Sequence, residues 1–377
     1  MDENSWVGAA GDTGYDMVTV VERFITGLRD GGVPLDRVTI GIPLLHPQIA
    51  SSGVQWETGS TAAERRYPMN PETLERLRNS PLYDCYTKGT PYRGLEDRGT
   101  DYPILADLRR DGFTDYLVVP LAFSDGTHKA LTCASKAPGG FVPDQVAQIE
   151  AAAGKLAPAL EIVTLRRTAT TLLDTYVGPS AGRKVWQGQI RRGHLDTIRA
   201  VIWFSDLRGF TALSERLAGD ETVTLLNAYF GAAVDAVTRG GGEVLKFIGD
   251  AVLAIFPLTG DDQNTVARAL GAAREAQAAF AAARAAGQPI EVGVGLHLGD
   301  VLYGNIGGAA RLDFTVIGPA VNFASRIEGL CAQLREPILL SAYVAALAGD
   351  ALQSAGTFDL KGVAGRHAVY RPGIPKT

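Results

Sequence analysis

Apolar residues recur along the chain at two spacings, and the spacing changes from segment to segment. Met17, Val20, Val21, Phe24, Ile25 and Leu28 step by three and four, which predicts a helix over 15–28, stopped by Asp30-Gly-Gly. Arg37–Pro43 and Gly53–Trp56 read as strands, Pro71–Leu77 as a short helix, and the Pro- and Gly-rich residues 79–103 as turns. A helix over 104–110 and strands over 115–121 and 129–135 follow. Pro143 to about Val177 reads as a long helix. In it Val146, Ile149, Ala153, Leu156, Leu160 and Val163 form a coiled-coil-like seam, interrupted by Pro158 and ended by Arg167. Such a seam suits either a helix packed on its own sheet or a dimerising signalling helix. Gly178–His194 has the turn chemistry of a compact linker.

Beyond it the pattern is βα(α)ββαββα. Strand Ile198–Leu207 leads to helices Gly209–Leu217 and Thr222–Arg239, then to a hairpin over Glu243–Phe256. An Ala-rich helix covers Gln263–Ala286. Ile290–His297 and Val301–Asn305 read as a second hairpin around Leu298-Gly-Asp300. A strand over Leu312–Ile317, a helix over Ala320–Leu334 and a final β-rich stretch through Arg371 complete the chain. The order predicts an α+β, ferredoxin-like core with additions. The domains expected are a loose N-terminus (1–14), an α/β domain (15–165), a helical and turn linker (166–195) and the α+β domain (196–373).

Length and composition narrow the class. A chain of 377 residues has room for two domains. With 20% charged and 46% hydrophobic residues it is ordinary globular material, and its net charge of −5 argues against bulk nucleic-acid binding. Three scattered cysteines read as reduced thiols of a cytoplasmic protein. No apolar stretch approaches the ~18 residues of a membrane span, and the N-terminus lacks a signal peptide's order. The five histidines show no metal-ligand spacing.

Two carboxylates carry the candidate chemistry. Asp206 ends an apolar run just before a glycine that opens a helix, and Asp250 sits in a Gly-Asp turn between two apolar runs. In the predicted topology the first strand lies between antiparallel neighbours. Its end then meets the hairpin turn, and the two carboxylates stand roughly 5 Å apart. That separation suits a pair of divalent ions for in-line phosphoryl displacement. The plainer readings are a helix-capping Asp206 and a Lys246–Asp250 ion pair.

Several ordered blocks resemble the class III nucleotidyl cyclase catalytic domain. They are Phe204-Ser-Asp-Leu-Arg-Gly-Phe-Thr211, Lys246-Phe-Ile-Gly-Asp250, His297-Leu-Gly-Asp-Val301, Gly304-Asn-Ile-Gly307 and Phe314-Thr-Val-Ile-Gly-Pro-Ala-Val-Asn-Phe-Ala-Ser-Arg326. The resemblance spans about Arg199 to Arg371. It implies that Asp206 and Asp250, with Leu207, hold two Mg²⁺ or Mn²⁺ ions, and that the backbone from Leu207 through Phe210 to Thr211 cradles phosphates. It implies that Asn322 positions the ribose and Arg326 stabilises the transition state; the i, i+4 spacing puts both on one helix face. Lys361, and more weakly Arg311, match positions that reach the terminal phosphates.

Lys246 and Thr315 match the base-reading positions. Lys246 only donates and Thr315 can accept, which suits adenine N1 and its 6-amino group. The Lys/Thr pairing resembles a bacterial subclass of adenylate cyclases. The implied activity is conversion of ATP to 3′,5′-cyclic AMP and pyrophosphate by a homodimer whose active sites lie at the subunit interface. A guanylate cyclase and a catalytically silent nucleotide-binding regulatory protein are the alternatives. The N-terminal half is similar in pattern to the GAF-type sensor fold, most clearly over 104–165. That implies a regulatory domain with a small-molecule ligand, or a purely structural dimerisation module. Cys85 as a chromophore anchor and His46 as a haem ligand are the minor readings there.

Overall fold

The computed structural model describes residues 16–43, 49–95, 102–308, 311–349 and 352–373. The loose segment expected over 1–14 and the candidate His46 lie outside the described residues. The chain divides into two compact units, residues 1–172 and 173–377.

The first unit runs α1 (Met17–Asp30), β1 (Arg37–Pro43), β2 (Ile49–Glu57), β3 (Ala63–Pro68), α2 (Pro71–Arg78), α3 (Pro81–Lys88), β4 (Tyr92–Arg93), α4 (Pro103–Arg110), β5 (Asp115–Ala122), β6 (His128–Ser135) and α5 (Pro143–Val177). Asp16 caps α1, its side chain accepting from the Thr19 amide at 2.8 Å. The sheet order is β3-β2-β1-β6-β5-β4 and every pairing is antiparallel. The expected α/β class is therefore corrected to α+β here: β1–β2, β2–β3 and β5–β6 are joined by short reversals, and no pairing is the parallel one that a helical crossover makes.

Helices α1 and α5 cover one face of this sheet, with Val20, Phe24, Ile149 and Leu156 meeting Val38, Ile40, Val54 and Leu131. On the other face Cys85 of α3 and Leu105 and Leu108 of α4 pack on Tyr116 and Val118. Cys85 is fully buried, and burial pushes its thiol up to about 11. An open cavity of about 460 Å³ lies against α1 and β2, lined by Glu22, Ile25, Thr26, Arg29, Asp30 and Trp56.

Two elements of this unit differ from expectation. The stretch from residue 79 on contains α3, because Pro81 at its first turn and Gly89 at its end, φ 66°, are the start and stop of a helix. Strand β3 is exposed at every position, so it has no apolar alternation to betray it. The seam of α5 is consumed by its own unit: Ile149, Ala153, Leu156 and Leu160 are buried in the α1 core.

The second unit continues with α6 (Pro179–Trp186), β7 (Leu195–Leu207), α7 (Phe210–Ser214), α8 (Gly219–Arg239), β8 (Glu243–Ile248), β9 (Ala251–Pro257), α9 (Asp262–Ala285), β10 (Val292–Gly307), β11 (Leu312–Ile317), α10 (Pro319–Leu334), β12 (Ile338–Ser341), α11 (Ala342–Ala345), β13 (Leu352–Asp359) and β14 (Arg366–Pro372). The sheet order is β13-β14-β12-β10-β7-β9-β8, with β11 also paired to β10. Along β7 the residues alternate. Val201 and Trp203 enter the core under α8 and α9, while Ala200 and Ile202 join the cluster that holds Ala324 of α10.

The hairpin expected around Leu298-Gly-Asp300 is absent. Strand β10 runs unbroken for 16 residues and pairs with β7 from Val292↔Leu207 to Gly304↔Leu195. The glycines there make room for a helix. A Cβ on Gly293 would lie 2.6 Å from a Glu328 carboxylate oxygen, on Gly295 2.5 Å from the Glu328 amide nitrogen, and on Gly299 2.7 Å from the Ala320 Cβ. His297, on the same face by strand alternation, stacks on Phe323 at 4.2 Å. The chain turns back later, where the Gly308 amide donates to the Arg311 carbonyl at 2.9 Å.

Part of the stretch that reads as a linker belongs to this unit. Ala181 of α6 is fully buried, and its amide donates to Glu243, which also accepts from the Tyr303 hydroxyl at 3.0 Å.

Candidate active site

Asp206 is the penultimate residue of β7, and Asp250 fills the turn between β8 and β9 beside Gly249, whose φ is 64°. Because β7 pairs with β9 up to Ser205↔Val252, the next positions bring the two aspartates together, close enough for the Asp250 carboxyl to act on Asp206. Burial, then the Asp250 carboxyl, hold the Asp206 carboxyl well above the usual carboxylate range; the Leu207 amide opposes this weakly. One Asp206 carboxylate oxygen is buried without a hydrogen-bond partner.

A third carboxylate, absent from the sequence reading, joins them. Glu328 of α10 is buried over Gly293, the cross-strand partner of Asp206. Burial and the two aspartates push its carboxyl up to about 8, against the pull of Arg208. Arg208 ties this end of β7 to α10, donating to the carbonyls of Cys331 at 3.0 Å and Glu336 at 2.5 Å. The signal for Glu328 was available: it interrupts the apolar stripe Phe323, Ala324, Ile327, Cys331.

This cluster fits a divalent cation. It offers hard oxygen donors, one of them unpartnered, and it concentrates negative charge that a cation would relieve. Among the described residues no three His, Cys, Asp or Glu side chains are arranged to enclose a metal.

Of the amides from Leu207 to Thr211, that of Arg208 is already engaged, donating to the Glu291 carbonyl at 2.8 Å. Those of Gly209, Phe210 and Thr211 stand at the start of α7, opened by Gly209 at φ 68°.

The base-reading candidates form a second cluster. Lys246 of β8 makes an ion pair with Asp313 of β11, not with Asp250. A bulge between Val244 and Lys246 breaks the alternation of β8. Thr315, two residues beyond Asp313 on the same strand, is buried with its hydroxyl unpartnered. Asp313 is the second residue the sequence reading missed, although the period of two puts it on the face of Thr315.

Asn322 and Arg326 are exposed on the outer face of α10, while Phe323, Ala324, Ile327 and Glu328 face inward. Arg326 donates to the backbone carbonyl of Lys361 at 3.2 Å, which brings these two candidates together. No contact joins Asn322 or Arg326 to Asp206 or Asp250 of the same chain among the described residues. Arg311 is exposed at the turn before β11.

Residues 196–370 match the family model of the adenylate and guanylate cyclase catalytic domain. The matched stretch lies within the second unit, and the antiparallel α+β unit lies outside it. An adenylate cyclase of Anabaena cylindrica is 42% identical over 161 residues, which are 40% of this chain and 31% of that protein. Among solved structures, the adenylyl cyclase CyaB from P. aeruginosa is 27% identical, with a TM-score of 0.43, over 48% of this chain and 97% of that one. The guanylyl cyclase Cya2 is 33% identical, with a TM-score of 0.41, over 48% and 96%. The chain spans less than a third of the length of the first curated relatives it matches. No helix among the described residues is long and apolar enough to cross a membrane.

Proposed function

We propose that the chain is an adenylate cyclase of the Lys/Thr bacterial subclass, converting ATP to 3′,5′-cyclic AMP and pyrophosphate. The observation that carries this reading is the meeting of Asp206 and Asp250 within residues 196–370, which match a cyclase catalytic domain. The ribose 3′-oxygen bonds to the α-phosphorus while the bond to the pyrophosphate oxygen breaks, and the hydroxyl proton leaves to water or substrate.

Asp206 and Asp250 would hold two Mg²⁺ or Mn²⁺ ions, with Leu207 completing the protein's share. When bound, such ions acidify the attacking hydroxyl and neutralise the triphosphate. The free amides from Gly209 through Phe210 to Thr211 receive phosphate oxygens, with Lys361 and Arg311 supplying charge. Asn322 orients the ribose, and Arg326 neutralises charge building at the phosphorus. Lys246 donates to adenine N1 and the unpartnered Thr315 hydroxyl accepts from the 6-amino group. Guanine presents the opposite pattern at both atoms, so ATP is the substrate.

Asn322 and Arg326 face outward from their own chain, which supports a homodimer whose site joins the aspartates of one copy to this pair, Lys246 and Thr315 of the other. The N-terminal unit, with helices on both faces of a six-stranded antiparallel sheet, fits a GAF-like sensor that regulates the cyclase. The buried thiols of Cys85, Cys133 and Cys331 suit a reducing cytoplasm. The test is product analysis by mass spectrometry after incubation with ATP or GTP and Mn²⁺ or Mg²⁺. Cyclic AMP in excess of cyclic GMP supports the reading; faster cyclic GMP formation overturns the substrate, and no product from either overturns the activity.

A further inference from the structure

Arg208 follows the last residue of β7, two positions after Asp206, and its side chain is only 17% exposed. Its guanidinium fork spans three acceptors on two other parts of the fold. One arm donates to the Glu291 carboxylate at 3.1 Å, just ahead of β10. The other donates to the carbonyls of Cys331 at 3.0 Å and Glu336 at 2.5 Å. The Arg208 amide adds a bond to the Glu291 carbonyl at 2.8 Å.

The two carbonyls bracket the end of α10. Arg335 caps that helix in the left-handed region at φ 54°, and the Glu336 amide donates to the Cys331 carbonyl at 3.0 Å. The Glu336 side chain is held in turn by Arg371. Carbonyls in the last turn of a helix lack helical partners, and the helix dipole favours a cation beside them. Arg208 supplies both the donor and the charge.

Asp206 lies two residues, at most ~7 Å of chain, from this anchor. Arg326 and Asn322 precede Cys331 by five and nine residues on one helix, ~7.5 and ~13.5 Å along its axis. A second contact spans the same gap: Glu328 of α10 packs over Gly293, the cross-strand partner of Asp206.

We propose that Arg208 is a positioning residue for both active sites of the dimer at once. This rests on the shared-site reading, in which the Asp206 that Arg208 fixes works in one site while the α10 that it fixes carries Asn322 and Arg326 into the other. Arg208 touches no substrate. It sets where the metal-side carboxylate and the transition-state pair of one chain stand relative to each other. A lysine ammonium has no planar fork with which to span Glu291, Cys331 and Glu336.

Mixed dimers with one live site test it. One chain carries Asn322→Ala with Arg326→Ala and supplies Asp206 to the live site. The other carries Asp206→Ala and supplies that site's Asn322 and Arg326. A different affinity tag on each chain isolates the pair. Arg208→Gln on the first chain should raise half-saturating Mn²⁺ roughly tenfold, with most of kcat restored at high metal. The same substitution on the second chain should lower kcat roughly tenfold and leave half-saturating Mn²⁺ unchanged. Both dimers contain the same substitutions, so a merely structural role would shift them alike. Arg208→Lys, which keeps the charge, should show the same split and serves if the glutamine chain does not fold. Equal changes from the two placements, or none, would overturn the role of Arg208 while the parent mixed dimer stays active. An inactive parent dimer would overturn the shared site and this role with it.

Discussion

Asp206 and Asp250 meet where β7 ends and β9 begins, although 44 residues separate them. Burial, then the neighbouring Asp250 carboxyl, strengthen the hold of Asp206 on its proton. A divalent cation bound between the two would displace that proton and relieve the concentrated negative charge. Asp206→Asn or Asp250→Asn should therefore lower turnover by orders of magnitude and weaken Mn²⁺ binding, measured by calorimetry, with the fold intact. Near-normal activity of either variant would remove these residues from the metal site.

Base selection should follow the Lys246–Asp313 pair as well as Thr315. Lys246→Glu with Thr315→Cys replaces the donor with an acceptor, but the new Glu faces Asp313 across the strands. Like charges there should leave a poor enzyme. Adding Asp313→Arg restores complementarity, and the triple variant should prefer GTP over ATP. Retained ATP preference in the triple variant would refute the assignment.

The glycines under α10 should be needed for both stability and catalysis. At Gly295 a methyl group would meet backbone of α10 at 2.5 and 2.7 Å, and backbone cannot swing aside. Gly295→Ala should cost roughly 1–3 kcal/mol and reduce kcat by displacing Asn322 and Arg326. Gly271→Ala, in open space on α9, should instead be neutral or stabilising by up to ~1 kcal/mol. Denaturant unfolding of both variants checks the contrast; equal effects would mean that α10 yields.

Stability at mildly acid pH should depend on His297. Burial, then His367, lower its imidazole to about 4, and its Nδ1 has no partner. Above pH 6.5 it is neutral folded or unfolded and contributes nothing to the pH dependence. As pH falls from 6.5 toward 4 the unfolded chain takes up the proton first, so stability is lost across that window. Between pH 7.5 and 5 the wild type should lose about 2 kcal/mol more than His297→Phe, at about 1.4 kcal/mol per pH unit. Parallel pH profiles for the two proteins would contradict this.

Much of the site was legible in the sequence because its residues sit at strand ends, turns and one helix face, where spacing fixes position. Asp206, Asp250, Asn322 and Arg326 are of this kind. Elements were missed where local signals have two meanings. Pro81 and Gly89 read as turn residues but bound a helix, and Gly299 reads as a turn but admits α10 to the sheet. Asp313 and Glu328 gain their meaning only from partners brought near by folding, Lys246 in one case and the two aspartates in the other.

The shared active site is tested most directly by mixing two inactive chains. One carries Asp206→Ala, the other Asn322→Ala with Arg326→Ala, and each homodimer lacks an essential half at both sites. In the mixed dimer one site unites both defects, while the other joins intact Asp206 to intact Asn322 and Arg326. Random association gives about half mixed dimers, so cyclic AMP formation should recover to roughly a quarter of wild type. No recovery, with subunit exchange verified by native mass, would place each site within a single chain and contradict the account.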